Sequence, residues 1–574
     1  MRQPKINNRQ STISASTRAI AALAFAVSLL FLSYYFQQSE ILLYGDAIAH
    51  INIARRVFDS RTPGLLQLGT VWLPLPHLLM IPFLLSDGMW QTGVGGSIPS
   101  MIAYVFGAVG IFRLTRGLTK GAASPLARVG PWVAALVYVA NPNLIYLQTT
   151  AMTETVYLAF FVWTVVYLVE FFQYAAEKNT TTKDSKAHKG KFTPLWKCAL
   201  CMFGAELTRY DGWLLAAVIA TAIAGLAIQQ WRDRPLRWAA LKFFLAIAAA
   251  PALWLTYNAA VYGNPLEFAN GPYSAKAITE RAATPRMPSY PGAGNVVVAA
   301  SYFLKSAELN MASGNWGRIW IAIAVAGLIL TFIQLRCYWP LLVLWVPVVF
   351  YALSIAYGGV PLFVPAWWPF TLYNVRYGIQ LLPLFAASAG LIVTYLGESS
   401  APEEAGDVKG AAAVQPRAKF AIAAVCVTGV IVVLSYVSIW KAQPACLREA
   451  SVNSRTKLAL ESAVARSIRG LPHTANYLMY LGDHVGVFQQ AGIPLRQVIN
   501  EGNHRPWKRP SDPEGLWERA LADPAHYAEI VIAFDNDPVA RAVNNKGLTL
   551  LTVIHTTGQP EARIYLSRSK SLAE

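Results

Sequence analysis

The feature that most constrains this chain is a series of eleven long apolar runs, at approximately 19–36, 98–117, 131–147, 152–173, 196–209, 212–230, 239–258, 318–335, 340–357, 378–396 and 419–440. An α-helix rises about 1.5 Å per residue, so roughly 20 apolar residues cross the ~30 Å hydrocarbon core of a bilayer. Most of the runs reach that length; 196–209 is short for a crossing. Lipid offers no partner to backbone N–H and C=O groups, so the runs are expected to be helices. Composition agrees: 14% of residues are charged and 55% hydrophobic, whereas a soluble domain is about a quarter charged. A soluble enzyme and a disordered chain are both disfavoured. The expected fold is a polytopic all-α membrane protein.

The net charge of +17 raises nucleic acid as a partner, so its location matters. The first 18 residues carry Arg2, Lys5, Arg9 and Arg18, and the 113–130 loop carries Arg113, Arg116, Lys120 and Arg128. Six lysines lie between Lys178 and Lys197, and Arg232, Arg234, Arg237 and Lys242 follow two runs later. If every run between them crosses, these segments share one side, as the positive-inside rule requires. The basic balance therefore reports topology, and no nucleic-acid partner is expected. With the N-terminus cytoplasmic, the loops at about 37–97, 259–317 and 358–377 and everything from 441 face outward. The first two hold only three and four Lys/Arg. The first run lacks a small-residue cleavage site and reads as an uncleaved helix.

Residues 1–440 thus read as a membrane domain, with a cytoplasmic Ala/Gly/Glu-rich linker at 397–418 before the last run. The tail 441–574 has ordinary charge density. Asn476–Tyr480, Glu529–Phe534, Leu548–His555 and Ala562–Leu566 read as strands, and Leu516–Ala522 and Pro538–Val543 as helices. A small C-terminal extracytoplasmic α/β domain is expected, and about 130 residues is enough for its own core. Cys198 and Cys201 form a CxxC inside an apolar helix with no second ligand pair, and Cys446 is the only cysteine of the tail. The sequon at Asn179 falls in a cytoplasmic loop and is expected to be unused.

Charged side chains beside apolar spans are costly, so they are functional candidates. The first outward loop opens Tyr44-Gly45-Asp46-Ala47-Ile48-Ala49-His50 and runs to Arg55 and Arg56; on a helix, Asp46 and His50 share a face at i and i+4. An N-capping aspartate and a surface histidine are the plainer reading. The turn Thr208-Arg209-Tyr210-Asp211-Gly212-Trp213 puts Arg209 and Asp211 at the outer membrane surface, with an interfacial aromatic anchor as the plainer reading. Asn374-Val375-Arg376-Tyr377-Gly378 brings another arginine to the outer end of a span, where guanidinium suits bidentate phosphate contact or simple snorkelling. Glu154 opens the fourth run, where the helix dipole favours a carboxylate whatever its function. Trp72-Leu73-Pro74-Leu75-Pro76-His77 interrupts any helix and is expected to expose apolar surface. No Walker loop, HExxH, GxSxG or Rossmann fingerprint occurs in a supporting context.

At these residues the chain resembles the type C (GT-C) membrane glycosyltransferases, in particular the class that includes protein O-mannosyltransferases and aminoarabinose transferases. The resemblance covers about 19–440 and rests on Tyr44–His50, Thr208–Trp213, Tyr262-Gly263-Asn264-Pro265 and Arg376-Tyr377. It implies a GT-C-like fold, a polyprenyl-phosphate sugar as donor, transfer on the extracytoplasmic face of the cell (inner) membrane, and a first-loop catalytic aspartate at Asp46. Protein O-mannosyltransferases usually show Asp-Glu here, whereas Asp46 is followed by Ala47. The resemblance therefore does not carry a protein acceptor with it, and lipid, glycan and protein stay open, beside membrane lipids as partners.

The residues support the same chemistry independently. A sugar on a lipid phosphate has an anionic leaving group, so positive charge matters more than a general acid. Arg376 and Arg209 are assigned to the phosphate with His50, Arg55 or Arg56 assisting; Asp46 is the base for the acceptor hydroxyl, giving inverting transfer. Glu154, Asp211, Tyr210 and Tyr377 are supporting residues. The motifs call for no cofactor, and a divalent metal is left open. A secondary transporter or lipid flippase is the alternative, although transporters place polar groups near the bilayer midplane rather than at span ends. A non-catalytic assembly subunit is a third reading.

Overall fold

The computed structural model describes residues 14–119, 124–177, 192–282, 289–333, 339–398, 410–472, 474–482, 484–503, 513–543 and 547–568. Each apolar run is helical over most of its length. Among the described residues, eight helices are long and apolar enough to cross a membrane. The runs at 131–147, 196–209 and 318–335 give shorter pieces: Gly130–Val139 followed by Pro142–Gln148, Thr193–Glu206, and Arg318–Ile333. The first of these breaks at Asn141, whose side chain caps the second piece by accepting from Leu144 N at 2.9 Å. The sequon at Asn179 and nearly all of the lysine-rich stretch lie outside the described residues.

Small residues set where the helices cross, because lipid tails supply little hydrophobic drive and close backbone approach must replace it. A Cβ at Gly130 would lie 2.3 Å from Gly390 O, and one at Gly390 would lie 2.7 Å from Gly130 O. Helices Gly130–Val139 and Leu382–Glu398 therefore touch through this glycine pair. Gly263 ends the long helix Arg234–Tyr262 in the left-handed region (φ 70°), donating to Ala259 O at 3.0 Å.

Two expectations are corrected by the helix boundaries. The first outward loop is largely helical, with Gly45–Arg56, Leu75–Leu84 and Asp87–Thr92. Trp72–His77 does not expose its surface: Leu73, Pro76 and His77 are buried, because Pro74 and Pro76 start the helix Leu75–Leu84 and fold it back against Gly45–Arg56. The last membrane helix, Gly410–Ala442, begins inside the segment expected to be linker.

After Ala442 the chain turns at Gln443 (φ 64°) and Pro444 into a 25-residue helix, Ala445–Arg469. The short periodic segments of the tail did not reveal it, since charged and polar residues interrupt its apolar positions. Beyond it lies a five-stranded sheet of β1 Tyr477–Met479, β2 Val498–Ile499, β3 Ile530–Phe534, β4 Leu548–Ile554 and β5 Ala562–Ser567, in the order β2-β1-β3-β5-β4. β1 runs parallel to β2 and β3, whereas β5 is antiparallel to β3 and β4. Four strands fall on the short runs expected to be strands; β2, with two residues, is too short to stand out. The α/β domain docks on the first loop through buried polar pairs: Asn52 Nδ2 donates to Gln489 Oε1 at 2.8 Å, and Gln489 Nε2 to Trp90 O at 2.8 Å. Asp59 accepts from the backbone N–H groups of Leu495 and Arg496 at 3.3 and 3.2 Å.

The glycine crossing yields a stability test. Gly130→Ala and Gly390→Ala should each lower the thermal midpoint of the solubilised protein, at the cost of about 1–3 kcal/mol usual for overpacking. Gly225→Ala, whose added Cβ meets nothing within 4 Å, should stay within about 0.5 kcal/mol of the parent. Equal midpoints for all three would refute the crossing.

Candidate functional site

At the end of the helical bundle that carries the α/β domain, a cavity of about 840 Å³ opens, with Asp46, His50, Glu154, Arg209, Asp211 and Arg376 among its lining residues. Its other walls are mostly aromatic and apolar, including Trp72, Trp213, Leu214, Phe350 and Tyr357, with Lys276 the further charged residue on the lining. The polar groups are brought together from several elements, and local sequence explains how the main ones are held.

Arg376 stands in a tight helical turn, Val375–Leu381. Asn374 precedes it in the left-handed region (φ 55°), held by donation from its Nδ2 to Pro361 O at 2.8 Å. Gly378 lets the turn lie on the backbone of helix Val296–Met311, since a Cβ there would sit 2.4 Å from Ala307 N. The guanidinium then meets three acids. Its NH2 donates to Asp46 Oδ2 at 2.6 Å, its NH1 to Glu449 Oε1 at 2.5 Å, and its Nε lies 3.3 Å from Glu154 Oε1.

Arg209 occupies the turn between Thr193–Glu206 and Asp211–Gln229. Gly212 permits this turn, as a Cβ would lie 2.8 Å from the Ala205 carbonyl. Arg209 NH1 reaches Thr153 Oγ1 and Glu154 Oε1, both at 3.1 Å, and NH2 reaches Tyr351 Oη at 2.9 Å. Its Nε lies 3.5 Å from Asp211 Oδ2, which also accepts from Tyr351 Oη at 3.0 Å. Glu154 Oε1 is thus shared by both arginines. Tyr377 receives both as cations over its ring, with centroid distances of 5.2 Å for Arg209 and 5.0 Å for Arg376. Tyr210 is a wall: its hydroxyl donates to Val71 O at 3.1 Å, and its ring stacks on Phe268 at 4.9 Å.

Glu154 Oε2 and Asp211 Oδ1 are buried and without a hydrogen-bond partner among the described residues. Asp46 keeps 41% of its side chain exposed, whereas Glu154 has none. Among the described residues, no group of three His, Cys, Asp or Glu is placed to hold a metal ion.

Four expectations need correction. Asp46 and His50 share a helix face but do not pair: Asp46 is drawn to Arg376, and His50 Nδ1 instead meets His77 Nε2 at 2.9 Å. His50 is not an assisting cation, because burial, with Arg376 and Arg209 nearby, pushes its pKa down to about 3. Arg55 does not line the cavity; it is buried and spent on Asp59, Leu84 O and Asp87 at 2.8, 2.6 and 2.5 Å. Arg56 lies instead on a second cavity of about 570 Å³, between the first loop and the α/β domain, which shares Val71 and Trp72 with the first. Glu449 was missed altogether. It sits in an amphipathic tail helix, and nothing in its local spacing points to Arg376.

The architecture is a polytopic, GT-C-like membrane fold with a small C-terminal α/β domain. No protein-family model matches the chain, and no curated protein matches it by sequence. Among solved structures it is similar to ArnT from Cupriavidus metallidurans in the apo state, with a TM-score of 0.57 at 13% identity over 97% of this chain and 99% of that one. Against the same protein bound to undecaprenyl phosphate the TM-score is 0.54 at 13% identity, over 98% of this chain and 100% of that one.

The buried imidazole has a pH consequence. His50 drops from its ordinary 6.5 to about 3 on folding, so between those values the unfolded chain binds more protons and stability rises with pH. The contribution is complete above about 6.5 and is lost as pH falls, costing about 2 kcal/mol by pH 5. Thermal midpoints at pH 7 and 5 should therefore converge in His50→Gln relative to the parent; an identical pH slope in both proteins would overturn this account.

Proposed function

We propose that this protein is a membrane glycosyltransferase that moves a sugar from a polyprenyl-phosphate donor to an acceptor at the extracytoplasmic face, with inversion. The observation that carries the reading is the convergence of Asp46, Arg376, Arg209, Glu154 and Asp211, from separate helix ends, on one cavity with an apolar wall. A lipid phosphate needs that combination of guanidinium and apolar surface at a membrane boundary. The shared fold with ArnT, one structure of which holds undecaprenyl phosphate, supports the donor class.

In this mechanism the donor phosphate enters between Arg376 and Arg209 and takes over part of their hydrogen bonding. The acceptor hydroxyl gives its proton to Asp46 as its oxygen bonds to the anomeric carbon. The bond from that carbon to the phosphate oxygen breaks with its electron pair, and polyprenyl phosphate leaves as an anion stabilised by the guanidinium groups. Glu154 Oε2 and Asp211 Oδ1, lacking partners, are suited to accept hydrogen bonds from the sugar hydroxyls. The second cavity, which shares Val71 and Trp72 with the first, is the route proposed for the acceptor. Asp46 has the exposure this role needs.

A transporter or flippase is the competing reading, and the gathering of ionisable groups at span ends favours the enzyme. Purified full-length protein in nanodiscs, given radiolabelled polyprenyl-phosphate sugars and candidate acceptors, should form a new glycoconjugate. Asp46→Asn should reduce its rate by roughly 10²–10⁴-fold; near-normal transfer by that variant would remove Asp46 as base. Accumulation of substrate in sealed vesicles without a covalent product would replace the enzyme with a transporter.

A further inference from the structure

Of the three acids around Arg376, Glu449 is the one that does not line the cavity. Asp46 and Glu154 face the space where a substrate fits; Glu449 stands behind the guanidinium, fully buried. Its two oxygens grip the same residue twice: Oε1 accepts from Arg376 NH1 at 2.5 Å, and Oε2 accepts from Arg376's backbone N–H at 3.1 Å. That fixes the arginine's backbone and its side-chain direction together. The helix that carries Glu449 is itself pinned at the site. Tyr44 Oη donates to Cys446 O at 2.8 Å, Cys446 N donates to Asn143 Oδ1 at 2.9 Å, and Asn453 Nδ2 donates to Leu372 O at 3.0 Å. Tyr44 is also the N-cap residue of the helix whose first turn bears Asp46.

We propose that Glu449, supplied by the C-terminal domain, is a positioning residue that holds Arg376 from behind and tempers its charge, so that Arg376 shares its forward N–H groups between Asp46 and a lipid phosphate. The inference rests on the proposed function of the cavity. Its physical basis is competition. A buried carboxylate in contact with a guanidinium draws on both its hydrogen bonds and its field. Without that rear partner the full charge acts forward. Arg376 then binds an incoming phosphate more tightly and releases the departing one more slowly. Glu449 touches no substrate in this scheme.

The test uses full-length protein in nanodiscs, with undecaprenyl phosphate as the probe for binding and the transfer assay for turnover. Glu449→Gln should bind undecaprenyl phosphate about tenfold more tightly, with kcat and KM falling together. A residue with a merely structural role would weaken binding and lower the thermal midpoint. Glu449→Asp keeps the charge but withdraws it by one methylene, so it should move in the same direction by less; it decides the question if the glutamine variant does not fold. Unchanged or weaker affinity in the variants, beside a parent that binds, overturns the role of Glu449 alone. A parent that fails to bind undecaprenyl phosphate overturns the reading of the cavity, and this inference with it.

Discussion

The whole arrangement depends on one guanidinium. Arg376 is buried at the end of a membrane helix, and a lone charge there would be costly. It is tolerated because carboxylates from three other segments, Asp46, Glu154 and Glu449, surround it. Those contacts tie the first loop, the fourth apolar run and the C-terminal helix to the turn before Leu382–Glu398. The packing that brings them together is therefore inseparable from the charge that needs them.

Arg209 repeats the solution on the neighbouring wall with Glu154, Asp211 and Tyr351. The two arginines share Glu154 Oε1 and the Tyr377 ring, so neither moves independently of the other. Four carboxylates face two guanidinium groups, and two carboxylate oxygens stay without hydrogen-bond partners among the described residues. Buried acceptors without donors are costly, so these two oxygens mark where the site is not satisfied from within the chain.

The α/β domain is part of the same construction rather than an appendage. Asn52, Gln489 and Trp90 form one buried chain of hydrogen bonds, and Asp59 closes on the backbone of Leu495 and Arg496. Such groups stabilise the interface only while all are satisfied, so the first loop and the domain hold one another in register. The loop that carries Asp46 is thereby fixed from both sides.

Much of this was legible in the chain itself. Apolar length demanded helices, because nothing else satisfies a backbone in lipid, and short β-prone runs marked four of the five strands. Asp46, Arg209 and Arg376 stood out because a charge beside a span is costly and demands a reason. What the linear order lacked was partnership. Spacing on the helix joined Asp46 to His50, yet the stronger field of Arg376, 330 residues away, decides where the carboxylate points. Arg55 and Arg56 read as site cations until folding aimed them elsewhere, and Glu449 had no local signature at all. Local backbone rules act over a few residues and so can be read from the sequence. Which buried charge meets which is settled by the requirement that every one find a partner, and only the assembled tertiary structure imposes that requirement.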